Sequence, residues 1–138
     1  MRIARIATAL VLAFAACCSR AISQVDGATG PTPLAFAQNE WKLFDDGKYR
    51  EMYDSTFDDT LKRQMTRDVW LAQAQEVARR RGNVIYRTPI KNTNSMNFYR
   101  LIFRTHCTEG DVIEDLSFQL TDDSKWRVVA IWVRPDLE

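Results

Sequence analysis

The sequence predicts an α+β fold, with three N-terminal helices packed on a curved four-stranded antiparallel sheet. Two observations predict it. Apolar residues recur every three or four residues between Pro33 and Arg81, the helical period, and every second residue from Val84 onward, the strand period. The switch falls at Gly82-Asn83, and helices and strands are segregated on either side of it. Segregation fits a helical layer on one face of an antiparallel meander rather than βαβ units.

The elements follow in order. Leu34, Ala37, Trp41 and Phe44 form a helical stripe over 33–45, opened by Pro33 and stopped by Asp46-Gly47. Residues 48–53 then offer Tyr49, Met52 and Tyr53 as a short second apolar face. Ser55 and Asp58 have the spacing of a capping box, which predicts a helix over 55–65 with Phe57, Leu61 and Met65 on one stripe. Thr66 is a good N-cap, and Trp70, Ala74, Val77 and Ala78 mark the core face of a helix over 69–81. Gly82-Asn83 closes it. Strands are then expected over 84–88, ended by Pro89, and over 98–107, 111–120 and 126–133. The expected turns are 92–97, Glu109-Gly110 and Asp122-Asp123-Ser124.

Ahead of this domain the chain carries export-signal anatomy. Arg2 and Arg5 precede an apolar stretch, Ile6 to Ala16, and small residues follow. Eleven residues fall well short of the roughly 20 a helix needs to cross a hydrocarbon core. Phe14-Ala15-Ala16-Cys17 resembles a bacterial lipobox, with Phe14 standing where the pattern prefers Leu, Val or Ile. That resemblance implies cleavage before Cys17 and a lipid anchor on its sulfur. Cleavage at Ala13-Phe14-Ala15, releasing a soluble protein, is the alternative. The expected organisation is a signal over 1–16, a flexible tether over 17–32 containing Gly27, Gly30 and Pro31, and one domain over 33–138.

Composition limits the function classes. The 138 residues are 46% hydrophobic, enough for one real core. Residues 1–23 hold three arginines and no acid, so the remainder carries 16 basic and 18 acidic residues. A weakly acidic domain gives no electrostatic reason to bind nucleic acid. The basic run Arg79-Arg80-Arg81 reads as the exposed end of a helix, where positive charge complements the macrodipole. Three cysteines, two of them at the signal, make neither a disulfide framework nor a zinc pattern, and the single His106 cannot build a metal site. No nucleophile elbow, zincin motif, phosphate loop or C-x-x-C is present. No cofactor is implied.

An ordered set of residues resembles the family named for domain of unknown function 4019. It comprises Ala37, Trp41, Asp46-Gly47, Tyr49, Ser55, Trp70, Gly82-Asn83-Val84, Arg87, Phe103, Glu114 and Trp126-Arg127-Val128. The last strand departs, with Ala130-Ile131-Trp132 where the family tends toward glycine and tyrosine. The resemblance implies an NTF2-like (cystatin-like) cone, in which helices cap a strongly bent sheet and leave a pocket. That fold hosts dehydratases and isomerases as well as non-catalytic binding domains, so it does not fix an activity.

Glu114 is the residue that breaks pattern. It interrupts the apolar row Val112, Leu116, Phe118 and Leu120, which turns a carboxylate toward the core. Two readings follow. In one it is a buried structural ion pair, with Arg87 the preferred partner. In the other it is a pocket carboxylate, its pKa raised by burial, acting as base or ligand anchor with Tyr99 or Arg87. His106 shares its parity with Arg100 and Arg104 and is expected outside, while Cys107 shares the buried face of Tyr99, Leu101 and Phe103. Trp41, Trp70, Trp126 and Trp132 are expected in the core or lining a pocket. The acidic pairs Asp58-Asp59 and Asp122-Asp123 read as turn chemistry.

The function expected is therefore a non-catalytic envelope module that binds a small ligand or protein partner, touching the membrane only through a lipid anchor. A cone-fold isomerase or dehydratase and an immunity or inhibitor protein are the alternatives.

Overall fold

The structure, a computed structural model, describes residues 30–137. The expected signal, most of the tether and Cys17 lie outside the described residues. Among those residues there are four helices and one four-stranded antiparallel sheet with strand order β1-β2-β3-β4.

Helix α1 spans Pro33–Asp45. Thr32 Oγ1 caps it by accepting from the Ala35 amide at 3.2 Å, and Pro33 needs no donor at the first position. Its buried face is Phe36, Ala37, Glu40, Trp41 and Phe44. Gly47, at φ 72, ends it. The apolar face expected over 48–53 is a helix in its own right, α2, Tyr49–Ser55.

Helix α3 is Asp59–Gln64, four residues later than the sequence predicts. Ser55 does not cap it, because Ser55 is the last residue of α2. Asp58 caps it instead, accepting from the Thr60 and Leu61 amides at 2.7 and 3.2 Å. The residues between are drawn out to meet the sheet: Phe57 forms a parallel bridge with Val128. Helix α4, Arg67–Arg81, is capped by Thr66 and packs Trp70 and Ala74 inward.

Strand β1, Val84–Ser95, runs straight through Pro89, where the sequence predicts an end. An edge strand tolerates a proline that would break a central ladder, and the register slips between Pro89 and Lys91. The turn shrinks to Met96-Asn97, with Met96 at φ 52. Strand β2 is Phe98–Cys107, β3 is Val112–Leu120 and β4 is Trp126–Pro135.

The core lies between the helices and one sheet face. That face carries Tyr99, Leu101, Phe103 and Thr105 of β2 opposite Phe118, Leu116, Glu114 and Val112 of β3. Trp132 is 66% exposed, which rules out the core, one of the two places expected for it. A register slip opposite Ser117/Phe118 is the reason: Val128 faces Phe118, but Ala130 faces Ser117 and Trp132 faces Asp115 on the outer face.

Candidate functional site

Five elements converge on Glu114, which is 0% exposed. Oε1 accepts from Arg81 Nη1 and, at 3.1 Å, from Arg87 Nη2. Oε2 accepts from Arg87 Nε at 2.6 Å and from Thr105 Oγ1 at 2.8 Å. Asp45, the last residue of α1, completes the group. Its Oδ1 accepts from Arg81 Nη2 at 2.5 Å and Arg87 Nη2 at 2.7 Å, and its Oδ2 from Arg87 Nη1 at 2.6 Å. Two guanidinium groups thus face two carboxylates, with no net charge left over.

Aromatic faces close the cluster on the helical side. Arg81 lies 4.7 Å from the Phe44 ring centroid and Arg87 5.8 Å from that of Trp41. Burial opposes the charge on Arg87, but hydrogen bonds from it to Asp45 and Glu114 outweigh that and hold its pKa above the ordinary arginine value.

A carboxylate offers about four lone-pair sites. Glu114 has four donors on it, two per oxygen. It is therefore spent in holding α4, β1 and β2 to β3, with α1 joined through Asp45, and no lone pair is left to take a proton from a ligand.

The other residues singled out in the sequence lie apart from it. Tyr99 is buried farther along β2, stacked on Phe118 at 5.9 Å and edge-on to Trp126 at 5.2 Å. Trp70 packs on Phe57, and its Nε1 donates to the Tyr49 carbonyl at 2.9 Å. Trp41 is fully buried with no hydrogen-bond partner for its Nε1. His106 stands on the outer face, stacked on Tyr86 and hydrogen-bonded through Nδ1 to Asp111. Cys107 is buried, and burial raises its thiol pKa.

Two residues went unread in the sequence. Arg81 is 4% exposed and not part of a solvated run. It follows Trp70, Ala74 and Val77 on the same face of α4, so extending the helical period by one more turn would have found it. Glu40 is also 0% exposed and lies between Phe36 and Phe44 on the buried stripe of α1. Burial pushes its carboxyl up to about 7; the Thr56 hydrogen bond opposes that rise and Glu51 adds to it.

An apolar concavity lies elsewhere on the surface. A groove of about 720 Å³ runs between α3 and α4 on one side and β4 on the other. Leu61, Met65, Val69 and Val77 form one wall, Ile131 and Val133 the other. Trp132 stands at its rim. Among the described residues no group of three or more His, Cys, Asp or Glu could hold a metal ion, and no helix is long and apolar enough to cross a membrane.

No curated protein matches the chain. A solved structure similar to it is that of an NTF-2 like protein of unknown function from Silicibacter pomeroyi DSS-3. That similarity has 13% identity and a TM-score of 0.40, covering 75% of this chain and 99% of that one. The model of the family described as Protein of unknown function (DUF4019) matches residues 36–130, and the chain belongs to that family.

Proposed function

We propose that the protein is an exported, non-catalytic binding module of the bacterial envelope, and that its binding element is the groove between α4 and β4. The observation that carries the reading is the contrast between the two sites. In the polar cluster Glu114 is fully buried with a donor on every lone pair, whereas the groove is open, apolar and about 720 Å³, within the size range of small-molecule sites. Val69 and Trp132 are exposed beside it, surface that an apolar ligand would cover. An isomerase or dehydratase using Glu114 with Tyr99 or Arg87 would need a free lone pair on Glu114; Arg87 is within reach, but it and the other donors occupy those lone pairs, and Tyr99 packs elsewhere on Phe118, which counts against it. Export rests on the basic, apolar and small-residue order of residues 1–16, and anchoring on Cys17.

Intact-mass measurement on the protein from its native host, under conditions that retain bound species, tests both halves. The expected mass lacks residues 1–16, carries a diacylglycerol adduct on Cys17 and shows a releasable apolar species. Val69→Arg, which projects a charge into the groove from an exposed position, is expected to lose that species and keep its melting temperature. A mass that retains Met1–Ala16, or a bound species indifferent to Val69→Arg, would count against export or against the groove respectively.

A further inference from the structure

Glu40 meets Thr56 at the junction where α2 ends, α3 begins and β4 starts. The Thr56 carbonyl accepts from the Val128 amide at 2.8 Å, and the Asp58 amide donates to the Val128 carbonyl at 2.9 Å. These two bonds clamp the helical layer to the first half of β4.

The Thr56 hydroxyl has two oxygen neighbours at bonding distance: the Met52 carbonyl at 2.8 Å and Glu40 Oε2 at 2.7 Å. A hydroxyl has one hydrogen to give and two lone pairs to receive with. The Met52 carbonyl can only accept. Both contacts are therefore satisfied together when Thr56 donates to Met52 and Glu40, protonated, donates to Thr56 Oγ1. The other oxygen, Oε1, is buried without a partner, which is tolerable for a neutral carbonyl and costly for an anion.

Among the described residues no cation pairs with Glu40. Glu51 on α2 is the ionisable group whose field reaches Glu40, and it is negative. Asp58 is committed to capping α3. Arg127 of β4 gives Nη1 to the Ser55 carbonyl at 2.8 Å and lies 3.9 Å from Asp123.

We propose that Glu40 is held as a neutral acid donating its proton to Thr56, and that loss of this proton unlatches the α2–α3 junction from β4. The latch stands on the packing of α1 and does not depend on what occupies the groove. Its sign is fixed. An acid whose pKa is higher in the closed state than in the open one stabilises closure fully below its open-state value. That stabilisation is lost as pH rises from about 4.5 to about 7 and stays flat above.

Hydrogen exchange at the Asp58 and Val128 amides reads the latch directly. Corrected for the intrinsic rate, their exchange is expected to quicken by about two orders of magnitude between pH 5 and pH 8. In Glu40→Gln, whose amide can donate to Thr56 at any pH, the same amides should show no such trend. The carbon-13 shift of the Glu40 carboxyl gives a second measure, with a midpoint expected above pH 6. A midpoint near the ordinary glutamate value, or a pH trend that persists unchanged in Glu40→Gln, overturns the proposal.

Discussion

Arg79, Arg80 and Arg81 are consecutive and chemically identical, yet their side chains are 70%, 75% and 3% exposed. Arg79 and Arg80 share Glu76, one turn back, at 2.7 and 2.6 Å, and hold its carboxyl down to about 2. Exposed pairs of this kind contribute little, because water already solvates both charges. Arg81 is the opposite case: removing it leaves Glu114 buried with one guanidinium in place of two. Arg81→Ala is expected to cost about 3 kcal/mol of unfolding free energy, as breaking a buried pair does. Arg80→Ala should stay within about 0.5 kcal/mol. Urea unfolding of the two variants decides the matter, and equal losses would mean that the cluster is solvated. Alternation alone was enough to turn Glu114 inward, since one parity of β3 is otherwise apolar. It pointed to Arg87, which does bond Glu114, but not to Arg81 or Asp45, because these lie 36 residues apart and meet only when α1 and α4 dock.

At the scale of elements, the joint between α4 and β1 is tight. Gly82 has φ 70 and ψ −151, a region open in practice to glycine alone. An added Cβ would also stand 2.1 Å from Thr108 Oγ1 and 2.9 Å from Glu109 Cγ. Thr108 cannot withdraw freely, since its Oγ1 accepts from the Asn83 amide. Gly82→Ala is expected to cost more than about 2 kcal/mol. Gly47→Ala, at φ 72 but with open space around it, should cost about 1 kcal/mol. Chemical denaturation of both variants checks this, and equal costs would mean that neither the more restricted backbone region nor the crowding at Gly82 adds to the cost. The periodicity switch at this joint is what made the α+β order legible. Two strand features were not. Pro89 reads as a stop until β1 is known to be an edge, and the slip in β4 is set by pairing with β3, which no local pattern encodes. That slip exposes Trp132 and brings Ile131 and Val133 to the groove.

At the scale of the whole molecule, the start of the domain and its last strand are tied together. Trp126 Nε1, at the head of β4, donates to the Pro31 carbonyl at 2.9 Å, and Thr32 caps α1 one residue later. Trp126 also packs on Phe36 and Phe118, so this bond fixes where α1 enters the core. Residues 31 and 32 thus have structural work although the tether is expected to run through 32. The family match, which starts at residue 36, does not reach them. A chain beginning at Gly30 and one beginning at Leu34 should therefore differ. The shorter one loses the Thr32 cap, worth about 1 kcal/mol, and the acceptor for a half-hidden indole N–H, worth about another. Thermal unfolding of the two chains is expected to place the shorter one about 2 kcal/mol lower, a gap that would lower the melting temperature by about 10 °C in a domain of this size. Thr32→Ala in the longer chain should reproduce about half of that loss. Identical melting temperatures would mean that α1 docks through its apolar face alone, and that the bond from Trp126 to Pro31 follows the packing without adding to it.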